Sequence, residues 1–158
     1  FPFRAEHDGR YRGVSSKDGC FLNPKKLKTE TVRMAATTRG GVIYESVMQL
    51  TGGSLYYFGE ATRLIAAYED LFWEGKREDS LANAGDYKYP DIMVLTKGDE
   101  RLVLVFNETK EAKTLKLTNQ NLKPGQQAEI FEKPGKIAAP QAMDITVPPE
   151  DVVAIHLK

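Results

Sequence analysis

Apolar and polar residues alternate with a period of two through much of residues 92–157, and clusters of turn-forming residues interrupt the alternation. The turns fall at residues 97–100 and 148–151 and in a short charged break after Asn107. Alternation places apolar side chains on one face of a strand, and short strands separated by turns are typical of antiparallel sheets. The pattern predicts an antiparallel β-sandwich over residues 91–158. The side chains expected to be buried are Leu102, Leu104, Phe106, Leu115, Leu117, Ile145, Val147, Val153 and Ile155.

The first half of the chain shows helical spacing around one short strand. A helix is predicted from about Pro24 to the glycine pair at 40–41, because glycine is common just past the last turn of a helix. Residues 42–50 suit either a helix or the first arm of a hairpin that turns at 51–53, and we favour the helix. Residues 54–58 are rich in aromatic side chains, which favours a short buried strand.

The clearest helical pattern lies at residues 60–74, where apolar side chains form one stripe that ends before Gly75. The stripe consists of Leu64, Ile65, Tyr68, Leu71 and Phe72. A polar stretch without periodicity follows and predicts a linker at residues 79–90. The expected organisation is an N-terminal part with a helix–strand–helix segment (1–78), the linker (79–90) and the β-sandwich domain (91–158). The predicted fold class is α+β, mainly β.

Charge and composition exclude several function classes. The 22 basic and 22 acidic residues leave no net charge, so no long-range attraction for nucleic acid is expected. No apolar run reaches the ~20 residues that span a bilayer, so no membrane partner is expected. Cys20 is the single cysteine, which excludes an intrachain disulfide. The chain opens with neither an initiator methionine nor a signal-peptide pattern, which indicates a fragment or a processed piece.

Two segments carry a family resemblance: RLVLVFNETKEAKTLKLT (101–118) and DITVPPEDVVAIHLK (144–158). They resemble the C-terminal β-sandwich domain that follows the catalytic barrel in many glycoside hydrolases. The segment GGSLYYFGEATRLIAAYEDLF (52–72) resembles part of the last β/α unit of a (β/α)₈ barrel. The resemblance implies a carbohydrate ligand bound through the parent enzyme, contact with a catalytic barrel, and an extracellular or periplasmic location.

Glu60 is the candidate catalytic residue, although no catalytic residue is assigned in this chain. Glycosidases use two carboxyl groups roughly 5 Å apart, or about 6.5–9.5 Å apart in inverting enzymes. Glu60 follows the predicted strand 54–58, at the end where barrel enzymes place their catalytic groups. Tyr57 and Phe58 are candidate substrate-binding residues because their rings offer an aromatic surface to a sugar. The alternative is that Glu60 favours a helix N-terminus.

Other polar motifs point to ordinary structural roles. Glu45 lies in the ambiguous segment, and residues 6–8 (Glu-His-Asp) lack the further ligands that a metal site needs. Asn107 belongs to an N-x-T triplet, but its position at a strand end beside a turn is sufficient reason for the residue. No metal site and no cofactor is predicted.

Two function classes remain. The first is the C-terminal, structural part of a carbohydrate-active enzyme, whose sandwich stabilises a barrel largely absent from this chain. The second is a stand-alone β-sandwich binding or adhesion module, which would need an aromatic binding surface of its own. The predicted strands offer only one aromatic residue each, at Phe106 and Phe131, which is little for sugar stacking. We therefore favour the first class.

Overall fold

The computed structural model describes residues 24–38 and 51–158. They belong to two compact units that divide between Glu69 and Asp70. The predictions for Cys20, Glu45, residues 6–8 and residues 42–50 lie outside the described residues.

The first unit contains two packed helices, α1 (Pro24–Thr38) and α2 (Gly52–Ala67). The predicted first helix is confirmed as α1, which buries Leu27 and Val32. At the start of α2, the Thr51 hydroxyl accepts a hydrogen bond from the Ser54 backbone N–H at 3.2 Å. A threonine in this position satisfies one of the N–H groups that a helix start leaves unpaired, so it fixes where α2 begins.

The strand predicted at residues 54–58 is wrong, because these residues form the first turns of α2. The second arm of the alternative hairpin is excluded for the same reason. Aromatic residues are common in strands, but their helix propensity is only a few tenths of a kcal/mol below that of good helix formers. The Thr51 cap and the burial of Ser54, Ala61 and Leu64 on one side of α2 outweigh that small preference.

The helix predicted at residues 60–74 is broken once. α2 ends at Ala67, and Tyr68 leaves the helical conformation with φ −129° and ψ 33°. A second short helix, α3 (Glu69–Glu74), then follows. Gly75 ends α3 as predicted, since its N–H bonds to the Leu71 carbonyl and a Cβ there would lie 2.1 Å from that oxygen.

The second unit contains two antiparallel sheets formed by nine strands. The strands are β1 (Lys76–Arg77), β2 (Ala82–Asn83), β3 (Ile92–Lys97), β4 (Glu100–Asn107), β5 (Lys113–Asn119), β6 (Gln127–Ile130), β7 (Lys136–Ala138), β8 (Ala142–Val147) and β9 (Asp151–Leu157). The larger sheet has the order β1-β3-β4-β9-β6-β7, and the smaller has the order β2-β5-β8. The antiparallel pairing of β4 with β9 confirms the predicted strand direction.

One hydrophobic core is shared by the two sheets. Its buried side chains come from both of them: Ala82, Ala84, Ile92, Val94, Val103, Val105, Leu117, Ala128, Ile145, Val147, Ile155 and Leu157. Leu115 and Val153 are half-buried against this core, and the other predicted core residues are buried.

The larger sheet is apolar on both faces, which period-two alternation does not predict. Val103, Val105 and Ile155 face the shared core, so their neighbours along each strand point to the opposite face. Leu102 and Leu104 are on that opposite face and are 0% exposed. The continuous apolar runs of β3 and β4 therefore reflect burial on both sides.

Residues 79–90, predicted to be a linker, lie within the second unit. They include a turn of 3₁₀ helix (Asp79–Leu81) and β2, which pairs with β5. The Asp79 carboxylate accepts a hydrogen bond from the Val94 N–H at 3.0 Å. Polar contacts thus hold this stretch to the larger sheet. Because the contacts are polar, they leave no apolar periodicity in the sequence.

Candidate functional site

The three predicted site residues lie on one helix, α2, and not at the end of a strand. Glu60 is well inside α2, so it does not lie in the first helical turn either. Its carboxylate forms an ion pair with Arg63, with Nη2 at 3.1 Å from Oε1. Tyr57 is half-buried and packs edge-to-face on Tyr56, with ring centroids 5.1 Å apart. Phe58 is half-buried on the same helix.

The surroundings of Glu60 resemble an ordinary helix surface. Arg63 lies one turn further along α2, a spacing at which opposite charges commonly pair. A glycosidase site needs a second carboxyl group facing the first across the scissile bond. Among the described residues, the charged group paired with the Glu60 carboxylate is the Arg63 guanidinium. This pair neutralises the charge of Glu60 and does not provide a second carboxyl group. A catalytic role for Glu60 stays a prediction.

The polar residues of the sheet unit mainly bind backbone or one another, and Asn107 is the best example. It is 0% exposed at the end of β4. Its side-chain N–H groups donate to the carbonyl oxygens of Glu111 (2.8 Å), Val147 (3.2 Å) and Pro148 (2.9 Å). Its Oδ1 accepts from the backbone N–H and hydroxyl of Thr109 at 3.0 and 2.7 Å. Asn107 therefore joins the β4–β5 turn to the β8–β9 turn, and its buried amide is inaccessible to a glycan in the folded chain.

Arg101 connects the two sheets at the opposite end of β4. Its Nη1 donates to the carbonyl oxygens of Leu81 (3.2 Å) and Gln120 (2.8 Å), beside the smaller sheet. Burial lowers the pKa of Arg101, and the nearby Glu78 carboxylate only partly opposes this effect. The side chain is 7% exposed, so its two carbonyl partners replace most of its water.

A third polar cluster holds the start of the sheet unit. Arg77 forms a bidentate pair with Asp79, at 2.9 and 3.0 Å to Oδ2, and its guanidinium lies 3.7 Å from the centre of the Tyr89 ring. Burial alone would lower the pKa of Arg77, but hydrogen bonds to Asp79 and Tyr89 outweigh it and raise that pKa. A cation enclosed by a carboxylate and an aromatic face stabilises a fold and leaves little room for a ligand.

The second apolar face of the larger sheet carries two further polar clusters at its rim. His156 on β9 lies 2.9 Å (Nε2 to Oε2) from Glu100 on β4. Lys97 on β3 pairs with Asp70 (3.0 Å) and Glu74 (2.9 Å), which attaches α3 to the sheet. Hydrogen bonds to the two carboxylates raise the pKa of Lys97.

Residues 24–38 and 51–158 contain no group of three or more His, Cys, Asp or Glu residues that could hold a metal ion. None of the helices described there has the length and hydropathy to cross a bilayer. Phe106 is 1% exposed, and Phe131 follows β6, so no strand aromatic offers a sugar-stacking surface within the described sheets.

No protein-family model and no curated protein sequence matches the chain. Its fold is similar to solved structures of glycoside hydrolases. An α-amylase from Geobacillus thermoleovorans, in complex with acarbose, aligns with a TM-score of 0.57 and 16% identity over 86% of this chain and 34% of that one. An Anoxybacillus α-amylase gives a TM-score of 0.53 and 14% identity over 85% of this chain and 32% of that one. An α-galactosidase I from Mortierella vinacea gives 0.55 and 13% over 85% and 36%.

The chain therefore spans about a third of the length of each of these enzymes. At these identities the likeness concerns the fold alone.

The sequence signals for Arg101 and Asn107 differ in strength. Asn107 stood out in its triplet at a strand end, whereas nothing in the sequence around Arg101 distinguishes it from a surface arginine.

Proposed function

We propose that this chain is the C-terminal accessory part of a glycoside hydrolase, and that its sheet unit stabilises a catalytic barrel most of which lies outside the chain. The main support for this proposal is the share of each chain that the structural alignments cover. They include 85–86% of this chain but only 32–36% of enzymes that act on glycosides. A fold that accounts for a minor part of such enzymes suits an appended domain better than a complete catalytic one.

The two sheets of the second unit form a β-sandwich in this proposal. The shared core supports that arrangement, because side chains from both sheets contribute to one cluster. The outward side chains of the smaller sheet are polar. Thr114 on β5 is opposite Thr146 on β8, with their hydroxyl oxygens 3.0 Å apart, and Lys116 is opposite Asp144. Such a face suits solvent, as in antiparallel sheets with one solvated side.

The larger sheet has a second apolar face. An antiparallel sheet that only covers one core commonly leaves its other face polar. Here Leu102, Leu104 and Phe106 give the second face a fully apolar centre, which requires another packing layer. These side chains are at most 1% exposed in this chain by itself, so the chain already supplies that layer. We propose that the helices of the first unit belong to the end of the (β/α)₈ barrel of the parent enzyme.

The parent would bind carbohydrate, and an extracellular or periplasmic location is proposed with it. The sheet unit contributes no catalytic group in this account, because its buried polar side chains bind backbone or one another. The chain alone should therefore not hydrolyse glycosides, since the reaction requires two carboxyl groups held in register.

Incubation of the purified chain with a panel of aryl glycosides tests the proposal. Release of the aryl group should not exceed that in buffer, for the natural chain, for Glu60→Gln and for the exposed control Glu69→Gln alike. Turnover that Glu60→Gln abolishes and Glu69→Gln preserves would show that the chain is a small enzyme in its own right.

A further inference from the structure

Within residues 24–38 and 51–158, no strand pairs with the outer edge of β8. β8 is the last strand of the smaller sheet, and the Asn119 N–H donates to the Gln141 carbonyl at 2.8 Å just before it. Bonded and non-bonded pairs alternate along an antiparallel ladder, so the backbone groups of Ala142, Asp144 and Thr146 point away from β5. These three residues are exposed, and no backbone hydrogen bond from the described part of the chain reaches those outward groups.

An apolar floor extends beyond this edge. β8 contacts β4 and β9 of the larger sheet, but that sheet continues past β9 with β6 and β7. Ala128 is opposite Leu157 and Ile130 is opposite Ile155, so both are on the face that contains the shared core. Ile137 is opposite Ala128 and is on the same face, yet it is 52% exposed. We use the name β8 step for the free edge of β8 together with the apolar face of β6 and β7 beyond it.

The shape of the β8 step selects one kind of occupant. A second copy that paired its own β8 with this edge would bring its β6 and β7 into the layer already filled by the first copy's β6 and β7. A single extended segment has no such second layer, and it fits beside β8 as a fourth strand of the smaller sheet. It would lie between the edge and Ile137, and it would cover apolar surface that is now exposed.

The chemistry of the rim specifies the side chains of that segment. In a strand, alternate side chains point to opposite faces, so every second residue would pack on Ile130 and Ile137. The intervening residues would lie beside Asp144 and Thr146 on the outer face. Asp144 is exposed, and although Lys116 is opposite to it, Asp144 forms no ion pair among the described residues. A basic side chain next to Asp144 would supply the missing charge.

We propose that the β8 step binds an extended peptide segment by strand addition, with apolar residues at alternate positions and a lysine or arginine beside Asp144. Main-chain hydrogen bonds to β8 provide affinity in this mode of recognition, and the alternate side chains provide specificity. The six residues of β8 would accommodate a segment of about 17–20 Å.

A synthetic heptapeptide, acetyl-TVKVTVT-amide, provides the probe. We expect it to shift the amide resonances of Asp144 and Thr146 in the nitrogen-15-labelled full chain, in a saturable manner, and to leave those of Ile145 and Val147 less affected. The same peptide with glutamate in place of lysine should bind about 3-fold to 10-fold more weakly, and Asp144→Lys should reverse this preference. No saturable shift at the edge residues, or no reversal with Asp144→Lys, would overturn the proposal.

A pair of proline variants identifies the edge. Thr146→Pro removes one outward N–H of β8, and Ala138→Pro removes the corresponding outward N–H of β7, the terminal strand of the larger sheet. Proline is tolerated where the N–H faces solvent. Thr146→Pro should weaken peptide binding about 3-fold to 10-fold, and Ala138→Pro should leave it unchanged. Ile137→Thr, at an exposed position, should also weaken binding and provides the test if a proline variant misfolds. Equal binding by all three variants would exclude the β8 step.

Discussion

Replacement of Asn107 by alanine should destabilise the sheet unit more than any other single polar change in β4. The substitution removes the hydrogen bonds that join the β4–β5 turn to the β8–β9 turn. It also leaves the Val147 carbonyl oxygen, at a buried position, without this donor. One hydrogen bond contributes a net 0.5–1.5 kcal/mol, and a buried group left unpaired costs about 1–3 kcal/mol. The bonds share one side chain and do not add fully, so we expect a loss of about 2–5 kcal/mol.

Urea unfolding followed by far-ultraviolet circular dichroism measures this loss as a lower midpoint with an unchanged slope. Asn83→Ala is the matched control, since Asn83 is an exposed asparagine on the short strand β2. It should change the free energy of unfolding by less than about 0.5 kcal/mol. A similar small effect for Asn107→Ala would refute the claim that this side chain holds the two turns together.

Asn107→Asp adds a test that depends on pH. The substituted side chain keeps the shape of the natural one but places a carboxylate oxygen against carbonyl oxygens, so it should be less stable than Asn107→Ala at pH 7. Burial beside those oxygens raises the pKa of the introduced carboxyl group above its ordinary ~3.9. The penalty is therefore present above the raised pKa and should shrink as the pH falls through it, because a protonated carboxyl group can donate again. A penalty that does not change between pH 7 and pH 4 would contradict this explanation.

Three further changes probe the helices and the rim of the larger sheet. Leu64→Ala should cost about 2–5 kcal/mol, since Leu64 is 1% exposed, whereas Leu55→Ala at a 50% exposed position should cost far less; thermal unfolding of the pair checks this. Gly75→Ala should destabilise the chain because its Cβ would lie 2.1 Å from a backbone oxygen, but Gly59→Ala, with open space and a helical position, should stabilise it by about 0.5–1 kcal/mol. The pKa of Lys97 is raised above 10.5, so its ion pairs stabilise the fold below pH 10.5 and are lost as the pH rises through the raised pKa. The difference in Tm between the natural chain and Lys97→Met should therefore shrink above pH 10.5.

Sequence patterns predicted the strands well where one face is solvated. β5 and β8 alternate clearly, and Leu117, Ile145 and Val147 are buried as expected. The second apolar face of the larger sheet was not predicted. In a run such as that of β4, a strand buried on both sides has no alternation, and the sequence does not show what lies on each side.

The helical region shows a different limit. Residues 54–58 have the composition of a strand, and the decisive signal was the single hydroxyl of Thr51 at the helix start. The candidate site depended on that strand. Because residues 54–58 are helical, Glu60 does not lie at the end of a strand. The position of Asn107 at a strand end beside a turn was interpreted correctly, but its hydrogen bonds to the carbonyl oxygens of Val147 and Pro148, 40 and 41 residues away, were not predicted. Arg101 binds carbonyl oxygens 19 and 20 residues away, and such contacts cannot be derived from spacing along the chain.

Thermal unfolding of the catalytic barrel of the proposed parent enzyme, measured with and without residues 70–158, tests the structural role of the sheet unit most directly. Removal of the sheet unit should lower the Tm of the barrel by several degrees, because about 1 kcal/mol corresponds to roughly 2–4 °C in a domain of 150–250 residues. The kcat of the barrel that remains folded should not change, since the sheet unit contributes no catalytic group in the proposed function. An unchanged Tm, or a loss of kcat without a loss of stability, would contradict a structural role for this unit.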